Sequence, residues 1–343
     1  MEGVDPISAL PDEIKISVLS QLDVKYAIRT LVLSHSWRHL WTHLPCLRLG
    51  YLQDQLGVVG ANVSSYWIQR VHHVVSSLRG PLVHFELVHR FLSNQTPLIQ
   101  RLLDLLLQKG GVQTLHLEFF YHPLQVHLPP FHSLKVLQLY QCHVLLPTGF
   151  HGFNSLTTLE LEQVEISNDH LHFLIHTSNN LTTFSGTQFV RNQSPLSVNF
   201  SSPLLRYLKF EIDHSIENVL VISAPCLEQV EIINYNQDRT DPSSKKLSLV
   251  ALGLLISVAT VSSLNLRCNI LRRMCDAFFW LLRSMPFLEE LNLTHGDYEV
   301  SDQINRVVIL MEELLGKKRD GISCLNQTLK SVIIRTFLEA ISC

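Results

Sequence analysis

Charge is scarce in this chain: Lys, Arg, Asp and Glu make up 17% of its 343 residues, against 46% hydrophobic residues. Disorder needs low hydrophobicity and high net charge, so this composition excludes a largely unfolded chain. The formal net charge is only −3, and neither nucleic acid nor an anionic membrane is called for by a global excess of one sign. Seven cysteines are present, an odd number with no C-x-x-C pair. They read as reduced thiols of an intracellular protein, packed mostly as small apolar side chains. There is no P-loop, G-x-G-x-x-G, H-E-x-x-H or G-x-S-x-G signature, and hence no sign of phosphate, dinucleotide, zinc-hydrolase or serine-hydrolase chemistry. No cofactor and no metal is expected.

Membrane and secretion signals are also missing. Asp5, Pro6, Asp12 and Glu13 interrupt any apolar signal segment at the start. The seven N-x-S/T sites therefore carry no weight, since they matter only in a secreted chain. One uncharged run, Leu247 to Leu264, sits at the lower length limit for a membrane span. It holds four Ser and one Thr and runs into a repeat strand, which favours a buried helix. The expected location is the cytoplasm, the nucleus or both.

What the chain does have is leucine, set in two different rhythms. In "DPISALPDEIKISVLSQLDVKYAIRTLVLSHSWRHLW" (5–41), Leu10, Ile14, Val18 and Leu22 recur at helical spacing. Asp5 and Ser8 suit a helix start, and Asp12 and Glu13 suit a first turn, where carboxylates meet the positive helix end. Ala27 and Leu31 restart the pattern after Asp23, and Trp37 and Trp41 lie four apart in a third helix, "HSWRHLWTHL". Three short helices in about forty residues are too small to bury their own apolar surface. The surplus must meet the rest of the chain or a partner.

The segments "LPDEI", "AIRTLVLS" and "WRHLW" in this block resemble the F-box in the form common in plant proteins. The resemblance covers residues 5–45. It implies docking on the Skp-type adaptor of a cullin–RING ubiquitin ligase. By the same resemblance Leu10, Pro11 and Ile14 meet the adaptor from the first helix, and Leu22, Val32, Leu33, Trp37 and Trp41 supply further apolar contacts or the packing behind them. Tyr26 stands where the family usually has an acidic residue, and His35 and Ser36 where it has basic ones.

The second rhythm is L-x-x-L-x-L. It begins at residues 82, 112, 134, 156, 181, 205, 227, 261, 288 and 329, from "LVHFEL" to "LKSVII". The middle spacings of 22 to 25 residues fall in the leucine-rich-repeat range. Each motif predicts a short half-buried strand by its period of two. Stacked, they form a parallel sheet along a solenoid, concave on the strand side, with helices and loops on the convex side. "PLIQRLLDLLLQKGG" (97–111) predicts one such helix, with Pro at its start and Gly at its end, and "MCDAFFWLLRSMP" (274–286) another. The Asn or Cys expected eight residues after the first leucine is present at Cys142 and Asn269 and missing from most repeats, so no continuous asparagine ladder forms. The fold class is therefore α/β: a short all-helical F-box (5–45), a helical linker capping the solenoid (46–81), an irregular leucine-rich-repeat solenoid (82–316), and a C-terminal segment (317–343). In the last, "CLNQTLKSVIIRTF" resembles the opening of the FBD module, shortened here.

Histidine is common, at 18 residues. His35, His39 and His43, and His172 and His176, are spaced four apart, as zinc ligands on a helix can be. No Cys or carboxylate completes either set, and a surface role is the better reading. The residues between the strand leucines face away from the core. Among them Glu86, Glu118, Glu160, Glu162, Glu211, Glu231 and Glu290 outnumber Lys209 and Arg267. Glu118, Tyr140, Glu160, Glu162, Lys209, Glu211 and Glu231 are the candidate target-binding residues, on a concave face whose negative field favours a basic partner. With no catalytic group to place, the expected function is that of a substrate-recognition subunit of a Skp–cullin–F-box ligase. The F-box holds the adaptor, and through it cullin and RING subunits, and the repeats hold a target protein. A ligase-independent repeat scaffold is the alternative, and an enzyme with a small-molecule pocket in the arc ranks behind both.

Overall fold

In the described repeat strands, leucine alternates with polar residues, and the leucines turn to one side. The computed structural model describes residues 7, 9–22, 24–32, 35–50, 61–90, 95–120, 123–190, 196–211, 216–234, 260–268, 285–295 and 330–336. They fall in two units, Met1–Leu156 and Thr157–Cys343.

The first unit opens with a helical block: α1 (Asp12–Leu19), α2 (Val24–Arg29) and three 3₁₀ turns, Thr30–Val32, His35–Trp37 and Leu40–His43. The third helix expected over "HSWRHLWTHL" is thus replaced by two tight turns. The reason lies in the apolar spacing: Trp37 and Leu40, three apart, are both buried, which suits a period of three better than 3.6. Together with Leu19, Ala27 and Leu44 they form one small core, against which Ile16 and Trp41 pack.

The block leads directly into β1 (Cys46–Gly50), followed by α3 (Ala61–Ser77), β2 (His84–Arg90), α4 (Thr96–Lys109), β3 (Thr114–Phe120), β4 (Leu124–His127), β5 (Val136–Tyr140) and β6 (Cys142–Leu145). Strands β1, β2, β3 and β5 lie side by side in that order, all parallel, while β4 and β6 form a second small sheet. Leu115, Leu117 and Phe119 of β3 are fully buried, as are Leu102, Leu103 and Leu106 of α4. Lys109 at the end of α4 donates to Ser76 O and Leu78 O, at 3.1 and 2.6 Å, and so caps the carbonyl end of α3. Gly110 and Gly111, both at positive φ, end α4.

Residues 46–81 are therefore not a terminal cap. They hold a strand and a crossover helix of the same kind as β2–α4–β3, and the repeats begin at Cys46. The role of cap falls to the helical block, since α2 packs against β1. Backbone hydrogen bonds fasten the two together. Thr42 O accepts from Arg79 N and Gly80 N, at 2.7 and 3.2 Å, and Pro45 O from Val83 N and His84 N, at 2.7 and 3.0 Å. Gly80 lies so close that a Cβ there would stand 3.2 Å from His43 Cα.

The second unit carries β7 (Thr158–Glu162), α5 (Asn168–Thr177), β8 (Thr183–Thr187), β9 (Leu196–Ser201), β10 (Tyr207–Glu211), β11 (Ile216–Ser223), β12 (Gln229–Asn234), β13 (Ser263–Cys268), β14 (Glu290–His295) and β15 (Ser331–Thr336). Its sheet runs β7-β8-β10-β12-β13-β14-β15, again parallel, with β9 and β11 paired apart. All ten strands expected from the L-x-x-L-x-L motifs are present across the two units. Ser167 caps α5, its side chain accepting from His170 N at 3.3 Å, and Asp169 sits in the first turn. The helix expected over 274–286 and most of the uncharged run at 247–264 lie outside the described residues. No helix among the described residues is long and apolar enough to cross a membrane.

The strand exits show what stands in for an asparagine ladder. Gln141, Gln163 and Gln188 follow β5, β7 and β8 at φ 54°, 53° and 50°, an uncommon region for any residue with a Cβ. The next position, where Asn or Cys is usual, holds Cys142, Val164 and Phe189, all buried. Apolar packing replaces the polar ladder inside. Outside, Gln163 Nε2 donates to Gln188 Oε1 at 2.5 Å.

Candidate functional site

The helical block wears much of its grease outside. Seven of the twelve large apolar side chains exposed among the described residues fall between Ile7 and Val32: Ile7, Leu10, Ile14, Val18, Leu22, Tyr26 and Val32. Helix α1 explains how. Ile14 and Val18, four apart, turn outward at 49% and 50% exposure, while Lys15 and Leu19, also four apart, turn inward and are buried. The Lys15 stem packs in the block and its ammonium lies 3.3 Å from Asp12 Oδ1. The inside of so small a block is filled by Leu19, Ala27, Trp37, Leu40 and Leu44, and no interior remains for Ile14 or Val18. Covering such a side chain is worth roughly 1.5–3 kcal/mol, so the surface is a candidate for a partner contact.

Of the residues expected at an adaptor contact, Leu10, Pro11, Ile14, Leu22 and Val32 are exposed, Val32 at 87%. Trp41 is half-buried against the core. Trp37 is 4% exposed and takes the packing role behind the contact, because the 3₁₀ turn points it inward. Leu33 lies outside the described residues. Val18 and Tyr26 complete the outward side. Val18 was legible as the i+4 partner of Ile14; Tyr26 was marked only as a departure from the family's usual acidic residue.

The polar sheet face of the first unit forms rows across the strands. Arg48, Glu86, His116 and Gln138 are in register, as are Gly50, Val88, Glu118 and Tyr140. His116 stacks on Tyr140 with ring centroids 5.0 Å apart, and its Nδ1 is 3.2 Å from Gln138 Oε1. His84 and His116 each bring Nε2 to a glutamate two residues on, 3.6 Å from Glu86 and 3.5 Å from Glu118. Arg48 reaches Glu86 at 3.7 Å. Burial raises the Cys46 thiol above its ordinary value, Arg48 opposing and Glu86 adding to the effect. Cys142 is pushed further up by complete burial.

In the second unit Glu160, Ser185, Lys209, Glu231 and Asn265 share one row. Glu162 is exposed, and Glu160 and Lys209 are half-buried. Glu211 and Glu231 are not available as expected: both are 8% exposed, and Glu231 Oε2 accepts from Tyr207 Oη at 2.9 Å. The acidic row is therefore shorter than the sequence suggests, and partly answered from within. No group of three or more His, Cys, Asp or Glu among the described residues could hold a metal ion. His172 and His176 stand with ring centroids 6.0 Å apart.

An outward apolar helix face, joined to stacked parallel strands, is matched by two family models. Residues 7–49 match the F-box domain, and residues 99–253 match the leucine-rich repeats of the FBD-associated F-box protein At5g56370. The chain is similar to proteins that join an F-box to FBD-type leucine-rich repeats. Among similar proteins of Arabidopsis thaliana, the F-box/FBD/LRR-repeat protein At1g13570 is 29% identical over 247 residues, 70% of this chain and 56% of that protein. The putative F-box/LRR-repeat protein At5g02700 is 27% identical over 183 residues, covering 51% of this chain and 37% of its own length. The putative F-box protein At1g49610 is 53% identical over 47 residues, 14% of this chain and 12% of that protein. The chain thus spans little more than half the length of the first relative and smaller shares of the other two. The F-box match takes in every outward residue from Ile7 to Val32.

Proposed function

We propose that this protein is the substrate-recognition subunit of a Skp–cullin–F-box ubiquitin ligase. The observation that carries the reading is the outward row Leu10, Ile14, Val18 and Leu22, within the segment matched as an F-box. An F-box implies a Skp-type adaptor as partner, and the adaptor brings cullin and RING subunits. The repeats hold a target protein by their polar sheet faces. Glu118 and Tyr140 act in the first unit and Glu160, Glu162 and Lys209 in the second, while Glu211 and Glu231 brace the sheet. The chain performs no covalent chemistry. It raises the effective concentration of a target lysine near a charged ubiquitin-conjugating enzyme. The place of action is the cytoplasm, the nucleus or both.

Co-purification with a Skp-type adaptor tests this. The intact chain is expected to retain the adaptor, and the Leu10→Ala, Pro11→Ala double variant to lose it while keeping its circular dichroism spectrum. An intact, folded chain that retains no adaptor overturns the proposal and leaves a ligase-independent binding scaffold.

A further inference from the structure

Helix α2 turns Ala27 into the core and Tyr26 and Arg29 outward. Tyr26 is 52% exposed, and the Arg29 guanidinium carbon lies 5.6 Å from its ring centroid. A guanidinium over a tyrosine face is attracted by the ring quadrupole and loses freedom of movement. Arg29 has no carboxylate partner among the described residues: the ion pairs of this unit are Lys15–Asp12, Arg48–Glu86 and those of His84 and His116. Leu22 precedes this pair and Val32 follows it, both exposed. A guanidinium steadied by a ring, and with no carboxylate partner among the described residues, is therefore exposed on α2, with exposed apolar residues before and after it in the sequence.

We infer that Arg29, steadied by Tyr26, is a specificity-determining contact of the adaptor interface and takes a carboxylate of the adaptor. This rests on the F-box reading above and adds the charge of the opposing group. The alternatives are less suited to the geometry. An arginine fork offers paired N–H donors that match a carboxylate oxygen for oxygen, and a cationic or purely apolar surface opposite it would leave the charge desolvated and unpaired. Tyr26 is a positioning residue: its ring limits where the fork can point, so less entropy is lost on docking.

The test is the affinity of the full chain for a purified Skp-type adaptor, measured at low and at high salt. Arg29→Glu is expected to weaken binding by roughly tenfold or more at low salt, the scale of a partly desolvated interfacial charge pair. The loss should shrink as salt rises. Arg29→Lys should recover part of the affinity, and Tyr26→Ala should weaken binding less than Arg29→Glu. Ile14→Asp serves as the control, since it strikes the apolar surface itself. If Arg29→Glu binds like the parent at both salts while Ile14→Asp does not bind, the inference fails and the adaptor reading stands. If the parent chain itself does not bind, the adaptor reading fails.

Discussion

Gly186 and Phe189 share one volume: a Cβ on Gly186 would lie 2.8 Å from Phe189 Cε2 and 2.9 Å from Phe184 Cε1. The repeat pattern asks for leucine where Gly186 stands, and for Asn or Cys where Phe189 stands. The two departures compensate, the missing side chain of one making room for the large ring of the other. Restoring the regular residue, Gly186→Leu, should therefore destabilise the second unit by about 1–3 kcal/mol through overpacking. Adding Phe189→Ala should recover part of that loss. Denaturant midpoints of the single and double variants check this, and additive effects would refute the shared volume.

Outward and inward residues of the helical block should separate cleanly in mutagenesis. Val18→Asp is expected to abolish adaptor retention with little change in melting temperature. Trp37→Ala removes a buried ring and should cost about 3–5 kcal/mol, lowering the melting temperature whether or not an adaptor is present. Thermal melts and adaptor pull-down on the same two variants give the comparison.

Lys15 is a charge in a place suited to an apolar chain, with one exposed carboxylate as its counter-ion. Replacing a buried ion by an apolar side chain of similar length is often neutral or stabilising. Lys15→Met should raise the unfolding free energy by about 1 kcal/mol, and Asp12→Asn should lower it. Equilibrium denaturation reads both signs.

Burial holds Cys142 protonated well beyond the usual thiol range. Only the thiolate is reactive, so Cys142 should resist alkylation in the native chain and react once denatured, as mass mapping would show. The folded value is raised, so the unfolded chain loses its proton first. The stabilising contribution is complete below the ordinary value of 9.0 and declines as the pH climbs above it. Cys142→Ala should flatten that alkaline decline.

Gly80 allows the close approach of His43. Gly80→Val should detach the 3₁₀ turn Leu40–His43 from the start of β2, seen as faster amide exchange at Arg79 and Val83.

The strands were the most legible part, because a period of two with leucine inward has one physical meaning. One was overlooked for an instructive reason. "LPCLRL" (44–49) satisfies the same pattern, but Leu44 also closes the core of the helical block, and a residue shared by two elements is read with the first. The small pairs β4–β6 and β9–β11 carry no leucine frame and left no trace in the pattern. The outward residues of α1 were legible as a row, but not the burial of Lys15, because helical spacing sets which residues share a side and not which side faces in. The acidic row of the second unit was overstated for a similar reason. Alternation places Glu211 and Glu231 on the polar face, and burial and the Tyr207 bond depend on neighbouring strands that no single strand encodes.

Thr42 and Pro45 join the helical block to the sheet through main-chain carbonyls, so truncating either side chain leaves the junction's hydrogen bonds in place. The first unit is in this respect a bracket and not a tether. Under the proposed function, such a junction leaves little slack between the adaptor and whatever the first strands grip, and which lysines on a target can be reached becomes a matter of that target's shape.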